Sequence, residues 1–97
     1  MVVALERFDL RIRGCGSLKE KRHVVKTLTN AIRSKFNVSV AEVDHHDLWQ
    51  RTALGVAVAA GEGHHAKRVL HEVEKLVERW GEVEVIDTVT TLHYPEA

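Results

Sequence analysis

The chain alternates between stretches with the two-residue hydrophobic period of strands and stretches with a helical period. Residues 2–12 read VVALERFDLRI, and their even positions form an apolar face interrupted by Glu6. Either a bulge or a buried partner is expected to accommodate Glu6. Further strands are predicted at 37–43, 52–60 and 83–94; in the third strand one face holds Thr52, Leu54, Val56 and Val58.

Two segments between the strands have the spacing of amphipathic helices. The first is predicted over roughly 18–36, with an apolar stripe of Leu18, Val25, Leu28, Ile32 and Phe36. Ser17 and Glu20 form a capping box, in which the serine accepts a first-turn amide and the glutamate reaches back to the cap amide. The second helix is predicted over 64–80, with an apolar face of Ala66, Val69, Leu70, Val73, Leu76, Val77 and Trp80.

The resulting order, β-α-β-β-α-β, predicts a single α+β domain over residues 1–97. We expect a ferredoxin-like sandwich: a four-stranded antiparallel sheet of order 4-1-3-2 with both helices on one face. This topology gathers residues 13–17, the hairpin at 44–50 and the turn at Gly81 at one end of the sheet. The opposite end is expected to hold both termini and the GEGHH stretch at 61–65.

Composition and charge narrow the class of protein. Apolar residues make up 44% and charged residues 29%, an ordinary globular balance, and no apolar run approaches the roughly 20 residues of a membrane span. Cys15 is the single cysteine, which suits a reducing, cytoplasmic location. Residues 1–40 carry nine Lys/Arg and three Asp/Glu, whereas residues 41–97 carry five and eleven. Such a split is typical either of a side that faces a polyanion or of two complementary helices.

Several stretches hold side chains that could support chemistry. His45 and His46, in VDHHDLWQR, are neighbours in an extended arm and should point apart. No spaced His or Cys set completes a metal site, so neither a metal nor another cofactor is expected. Cys15 precedes a helix in electropositive surroundings that can activate a thiol, yet Lys21 stands where a phosphatase-type loop needs arginine. No catalytic residue is therefore assigned, and an anion-binding enzyme that uses the 13–22 loop stays an alternative.

A basic zone at the loop-rich end of the sheet favours a polyanionic partner. The candidates for contact with RNA phosphates or another anion are Arg13, Lys19, Lys21, Arg22 and Arg51. The helix-free sheet face lacks an aromatic platform, which favours backbone contact over base stacking on the sheet. Lower on that face lies a smooth apolar patch suited to a homodimer interface, made of Val3, Leu5, Ala57 and Ala59.

Two motifs, SLKEKR (17–22) and VSVAEVDHHDLWQRTALGVA (38–57), resemble the signatures of the YlxP-like family of bacterial proteins. That family is a domain of unknown function with a ferredoxin-like fold, and its genes often lie among those for translation initiation and ribosome maturation. The resemblance implies an accessory role there, with RNA or a ribosomal particle as partner, and it supplies no catalytic residue. It singles out partner-contact candidates in the hairpin: Asp44, His45, Asp47, Trp49 and Gln50. Trp49 has a structural alternative, as a plug over the end of the core.

Overall fold

The computed structural model describes residues 1–96 and contains four strands and two helices. The elements are β1 (Val2–Ile12), α1 (Leu18–Lys35), β2 (Ser39–Asp44), β3 (Arg51–Ala60), α2 (Gly63–Glu78) and β4 (Val83–His93). Neighbouring strands are antiparallel, in the order β2-β3-β1-β4. This is the predicted order 4-1-3-2 read from the other edge. Both helices pack on one face, so the predicted ferredoxin-like α+β sandwich is confirmed.

The core lies between the helices and the even-numbered face of the two central strands. The side chains buried in it from β1 and β3 include Val2, Ala4, Phe8, Leu10, Leu54, Val56 and Val58. From α2 the core receives Ala66, Leu70, Val73 and Val77. The predicted facing of these strands and of α2 is therefore confirmed. Within residues 1–96, neither helix is long and apolar enough to cross a membrane.

The buried face of α1 differs from the predicted stripe. Val24, Leu28 and Ile32 are buried, together with Thr29 and Lys21. The remaining members of the predicted stripe, Leu18, Val25 and Phe36, are only partly buried. The buried face of α1 begins with Lys21, which a search for apolar positions leaves out. The predicted face therefore lay to one side of the buried one, around the neighbouring apolar residues.

Side chains of the preceding loop and first turn cap the start of α1. The Ser17 hydroxyl accepts a hydrogen bond from the Glu20 amide at 3.1 Å, as predicted. The Glu20 carboxylate accepts from the amide of Gly16 at 2.7 Å, one residue before the amide that the capping box predicts. A carboxylate therefore already occupies the positive end of this helix dipole.

The loops gather at the two ends of the sheet as the topology predicts. At the hairpin end, the Ile12 amide donates to the Gln50 carbonyl at 2.8 Å, and the Arg13 amide donates to the Glu82 carbonyl at 2.9 Å. At the opposite end, the ammonium group of Met1 lies 2.8 Å from the Glu96 carboxylate.

Two register shifts shape the strands, and neither lies at Glu6. One separates Asp9 from Leu10 opposite β4, and the other separates Glu42 from Asp44 opposite β3. Glu6 sits in regular register with both neighbouring strands and is 2% exposed. The sheet therefore buries this carboxyl group without a bulge.

Candidate functional site at the hairpin end

A buried lysine joins α1 to the β2–β3 hairpin. Lys21 is 1% exposed, and its ammonium nitrogen lies 2.9 Å from Oε2 of Glu42. The same group donates to the backbone carbonyls of His45 and His46. These three contacts use all three donors of a lysine ammonium group. The structure contradicts the predicted phosphate contact by Lys21, because its side chain is buried and its protons are already bonded.

The partner of this lysine is itself held by a second hydrogen bond. The hydroxyl of Thr52 donates to Oε2 of Glu42 at 2.6 Å. Burial raises the pKa of Glu42, but the hydrogen bonds from Thr52 and Lys21 and the lysine charge lower it more. The net pKa lies below the usual value, so Glu42 is ionised at neutral pH and forms an internal ion pair with Lys21.

A second polar network lies on the open face of the sheet, opposite the helices. Arg7 donates to the two carboxylate oxygens of Asp9 at 3.0 and 3.2 Å, and to Asp44 at 3.1 Å. The hydrogen bond from Arg7 holds the pKa of Asp9 below its usual value. The pKa of Asp44 is lowered by the backbone hydrogen bond from His45 and then by Arg7. The network therefore pairs Arg7 with two carboxylates, so this arginine offers little free charge to a polyanion.

Asp44 and His45 shape the turn that begins the hairpin tip. His45 has a φ of 62°, in the left-handed region that non-glycine residues rarely adopt. Oδ1 of Asp44 accepts from the His45 amide at 2.7 Å, and the His45 ring lies 3.7 Å from Asp9. These two partner-contact candidates are therefore engaged within the protein. The other three, Asp47, Trp49 and Gln50, are exposed.

Trp49 does not plug the core, because it is 46% exposed. Leu48 beside it is 49% exposed, so the hairpin tip presents two adjacent apolar side chains to solvent. The hairpin lies beside the start of α1, since Lys21 bonds to the carbonyls of His45 and His46. The two motifs that carry the family resemblance thus meet in space, as the topology predicts.

Exposed cations of α1 form a line along its solvent face, which we call the basic stripe: Lys19, Arg22 and Lys26. Residues three and four apart share one helix face. All three are exposed, and in residues 1–96 none has an acidic oxygen within 4 Å. Lys26 was missing from the predicted contacts, although its spacing from Arg22 and Lys19 could have identified it.

Arg13 and Arg51 lie apart from the basic stripe. Arg13 donates to the Gly81 carbonyl at 3.3 Å and shares Glu84 with Arg11, each pair at 3.6 Å. Arg51 on β3 lies opposite Arg11 in the register of the two strands. The buried Nε of Arg51 has no hydrogen-bond acceptor within the described part of the chain. Only two of the five predicted phosphate contacts therefore belong to the stripe.

A shallow cavity of about 400 Å³ lies where β1 leads into α1. Its lining includes Arg13, Cys15, Lys19, Glu20, His23 and Glu82. Cys15 is 7% exposed, belongs to the core cluster, and donates to the Ser17 carbonyl at 3.3 Å. An anion entering this cavity would meet two carboxylates beside the cations, which disfavours a phosphate site here.

Among residues 1–96, no three His, Cys, Asp or Glu side chains converge as a metal site.

The fold and this hairpin end define a small ferredoxin-like sandwich with a cationic helix beside an exposed hairpin tip. Solved structures share the fold. The de novo designed protein Foldit4 is 11% identical, with a TM-score of 0.56, over 99% of this chain and 100% of that chain. An uncharacterized NIPSNAP domain protein from Burkholderia xenovorans is 13% identical, with a TM-score of 0.52, over 100% and 96%. The designed ferredoxin-fold protein LFR1 1 is 14% identical, with a TM-score of 0.51, over 100% and 88%. At these identities the likeness concerns the fold alone.

The chain belongs to the family described as "Protein of unknown function (DUF503)", which matches residues 3–90. It is also similar to "Uncharacterized protein YlxP" of Bacillus subtilis (strain 168). The two are 38% identical over 69 residues, which is 71% of this chain and 75% of that protein. The family resemblance carried by the two motifs is therefore confirmed.

Proposed function

We propose that this protein is a cytoplasmic accessory factor of ribosome maturation or translation that binds the RNA backbone, alone or within a ribonucleoprotein. The observation that carries the proposal is the basic stripe, whose cations have no acidic partner within 4 Å in residues 1–96. α1 holds six Lys/Arg and one acid, Glu20, whose carboxylate is turned to the Gly16 amide. Uncompensated cations along one helix face are typical of nucleic-acid-binding surfaces. The link to translation is what the family resemblance implies.

The stripe suits a backbone contact more than a sequence-reading one. From Lys19 to Lys26 it runs about 10 Å along the helix axis, given a rise of about 1.5 Å per residue. Lysine and arginine side chains on such a line can each reach one phosphate and carry no information about the bases. Binding through the stripe should therefore depend on salt and vary little with sequence.

The hairpin tip supplies the second contact in this proposal. Trp49 is exposed next to Leu48, and the tip lies beside the start of α1. An exposed tryptophan at that position can stack on a base or insert between side chains of a ribonucleoprotein. Arg13 and Arg51 would contribute charge around this end rather than along the helix.

The test compares a triple variant of the stripe, Lys19→Ala, Arg22→Ala and Lys26→Ala, with a control on the other helix. The control is Lys67→Ala with Arg68→Ala, since both residues are exposed on α2. Binding of a labelled single-stranded RNA is measured by fluorescence anisotropy over a range of salt concentrations. We expect the triple variant to bind more weakly, with a log–log salt slope smaller by about 2, because each lost phosphate contact removes about 0.7.

The control variant should keep the salt slope of the intact protein. The proposal fails if the intact protein shows no salt-dependent RNA binding, or if the triple variant and the α2 control lose affinity equally. A pull-down from native lysate, with and without nuclease, then tests whether the bound partner is RNA within a ribosomal particle.

A further inference from the structure

The open face of the sheet carries large apolar side chains that no described part of the chain covers. Leu5 is 45%, Val43 is 49% and Val89 is 53% exposed. With smaller residues of all four strands they line a shallow trough of about 460 Å³. Single exposed apolar residues are normal on protein surfaces, but several that share one face indicate an interaction surface.

In two rows of this face, small and large side chains occupy opposite halves of the sheet, which makes the rows self-complementary. Two rows cross the sheet in the order β2-β3-β1-β4, namely Ser39–Ala57–Leu5–Thr91 and Ala41–Gly55–Arg7–Val89. In these two rows the residues of β2 and β3 are small, and the larger ones lie on β1 and β4. Val43, at the register shift of β2, is the exception on this face, and its side chain lies over Gly55. The boundary between the two halves runs along the middle of the sheet, between β3 and β1.

We infer that two copies of this chain pack with their open sheet faces together, about a two-fold axis that runs along the strands between β1 and β3. Such an axis places β1 of one copy over β3 of the other, and β4 over β2, with each row meeting itself reversed. Leu5 then lies against Ala57 of the second copy, and Val89 lies against Ala41. These two large apolar side chains thus each meet a small one, which is the fit that close packing requires.

The charges of this face allow such an interface. Arg7 would meet the second copy at Gly55, over which Val43 lies, and its guanidinium is already bonded to Asp9 and Asp44. The Arg7 charge would therefore be buried with its carboxylate partners, although one guanidinium balances only one of the two carboxylates. Nearer the hairpin the axis sets Asp44 against Asp87 and Arg11 against Arg51 of the second copy, so there the carboxylates and guanidinium groups of adjacent rows have to neutralise one another.

The size of the face also fits a second copy. The four strands contain 38 residues, which at about 3.3 Å per residue and about 4.8 Å between strands cover about 600 Å². Two copies would then bury about 1,200 Å², the lower end of the range for stable interfaces. The basic stripe lies on the helix layer, so a dimer would leave both stripes exposed on opposite outer surfaces, and the dimer does not depend on the proposed RNA binding.

Analytical ultracentrifugation of the full chain tests the dimer, and paired substitutions test the axis. Leu5→Ala should weaken dimerisation at least tenfold because the axis buries both copies of Leu5. Ala57→Leu alone should also weaken it, since Leu5 would then face a leucine. The double variant, with the two side chains exchanged, should recover most of the affinity. Leu48→Ala is the matched control, because Leu48 is 49% exposed but lies at the hairpin tip, away from this face.

Circular dichroism confirms that each variant is folded before its mass is measured. A wild-type chain that stays monomeric at the highest measurable concentration overturns the inference. So does a dimer whose affinity is the same in the Leu5→Ala and Leu48→Ala variants. If single substitutions weaken the dimer but the exchange does not restore it, the proposed axis is wrong.

Discussion

Replacing Glu6 with glutamine should stabilise this protein by an amount that grows with pH. Glu6 is buried on the core side of β1, and neither of its carboxylate oxygens has a hydrogen-bond partner among the described residues. Burial and then the neighbouring Glu74 raise the pKa of Glu6 from 4.5 to about 8, with a smaller contribution from Glu78 and an opposing one from Thr90. The folded protein therefore keeps this carboxyl group neutral at pH 7.

The sign of the pH dependence follows from proton uptake on folding. Between about pH 4.5 and about pH 8, Glu6 is ionised in the unfolded chain and protonated in the folded one. The unfolded state then binds fewer protons, so the contribution of Glu6 to stability falls as pH rises through this window and levels off above it. At about 1.4 kcal/mol per pH unit, the loss is about 2 kcal/mol at pH 6 and about 5 kcal/mol at pH 9. Glutamine has no such proton to lose.

Urea unfolding followed by tryptophan fluorescence, at several pH values between about 5 and 9, measures this effect. The quantity of interest is the difference in unfolding free energy between Glu6→Gln and wild type, because titrating groups remote from Glu6 cancel in that difference. Glu82→Gln serves as a control, since Glu82 is exposed. A difference that stays constant across this pH range, or one that shrinks toward high pH, would refute the reasoning.

Two further changes test the networks at the hairpin end. Lys21→Met should lower the unfolding free energy by about 2–3 kcal/mol, because it leaves the partly buried Glu42 without its counter-charge and two carbonyls without a donor. Adding Glu42→Gln should restore part of that loss in a double-mutant cycle measured by urea unfolding. Asp9→Asn should cost about 1 kcal/mol at neutral pH, where Arg7 holds the wild-type carboxylate ionised. Because the pKa of Asp9 is lowered, its contribution is present above the unfolded value and lost as the pH falls through the folded one. The unfolding free energies of this variant and wild type should therefore converge in acid.

Local periodicity accounts for most of what the sequence predicts correctly. The even positions of β1 form the core face, including the anomalous Glu6, because alternation fixes which side every residue of a strand faces. The order of the elements then restricts the topology to few choices. The burial of Lys21 could not be predicted in this way, because it depends on the carbonyl groups of His45 and His46, which are distant in sequence. No local pattern distinguishes a lysine in a first helical turn that is buried from one that is solvated.

The predicted basic zone overestimated the free positive charge for a similar reason. Arg7 and Arg11 lie on β1 and Arg13 just after it, and apart from Asp9, which is also on β1, their acidic partners come from other strands. Glu84 reaches Arg11 and Arg13 from β4, and Asp44 reaches Arg7 from β2. Only the strand register reveals these pairs. The basic stripe of α1, by contrast, depends on local spacing and could be recognised within the helix itself.

The buried lysine beneath the hairpin has a consequence for how the tip meets a partner. A loop of this length on a surface would ordinarily sample many conformations, and its ordering would oppose binding. Here the ammonium group of Lys21 fixes two consecutive carbonyls of the turn. Trp49 therefore follows a turn that is already ordered in the free protein. Binding of a partner to Trp49 would then cost little conformational entropy of this loop. Under the proposed function, recognition at this end would join preformed surfaces, with the association rate governed by diffusion and charge rather than by loop rearrangement.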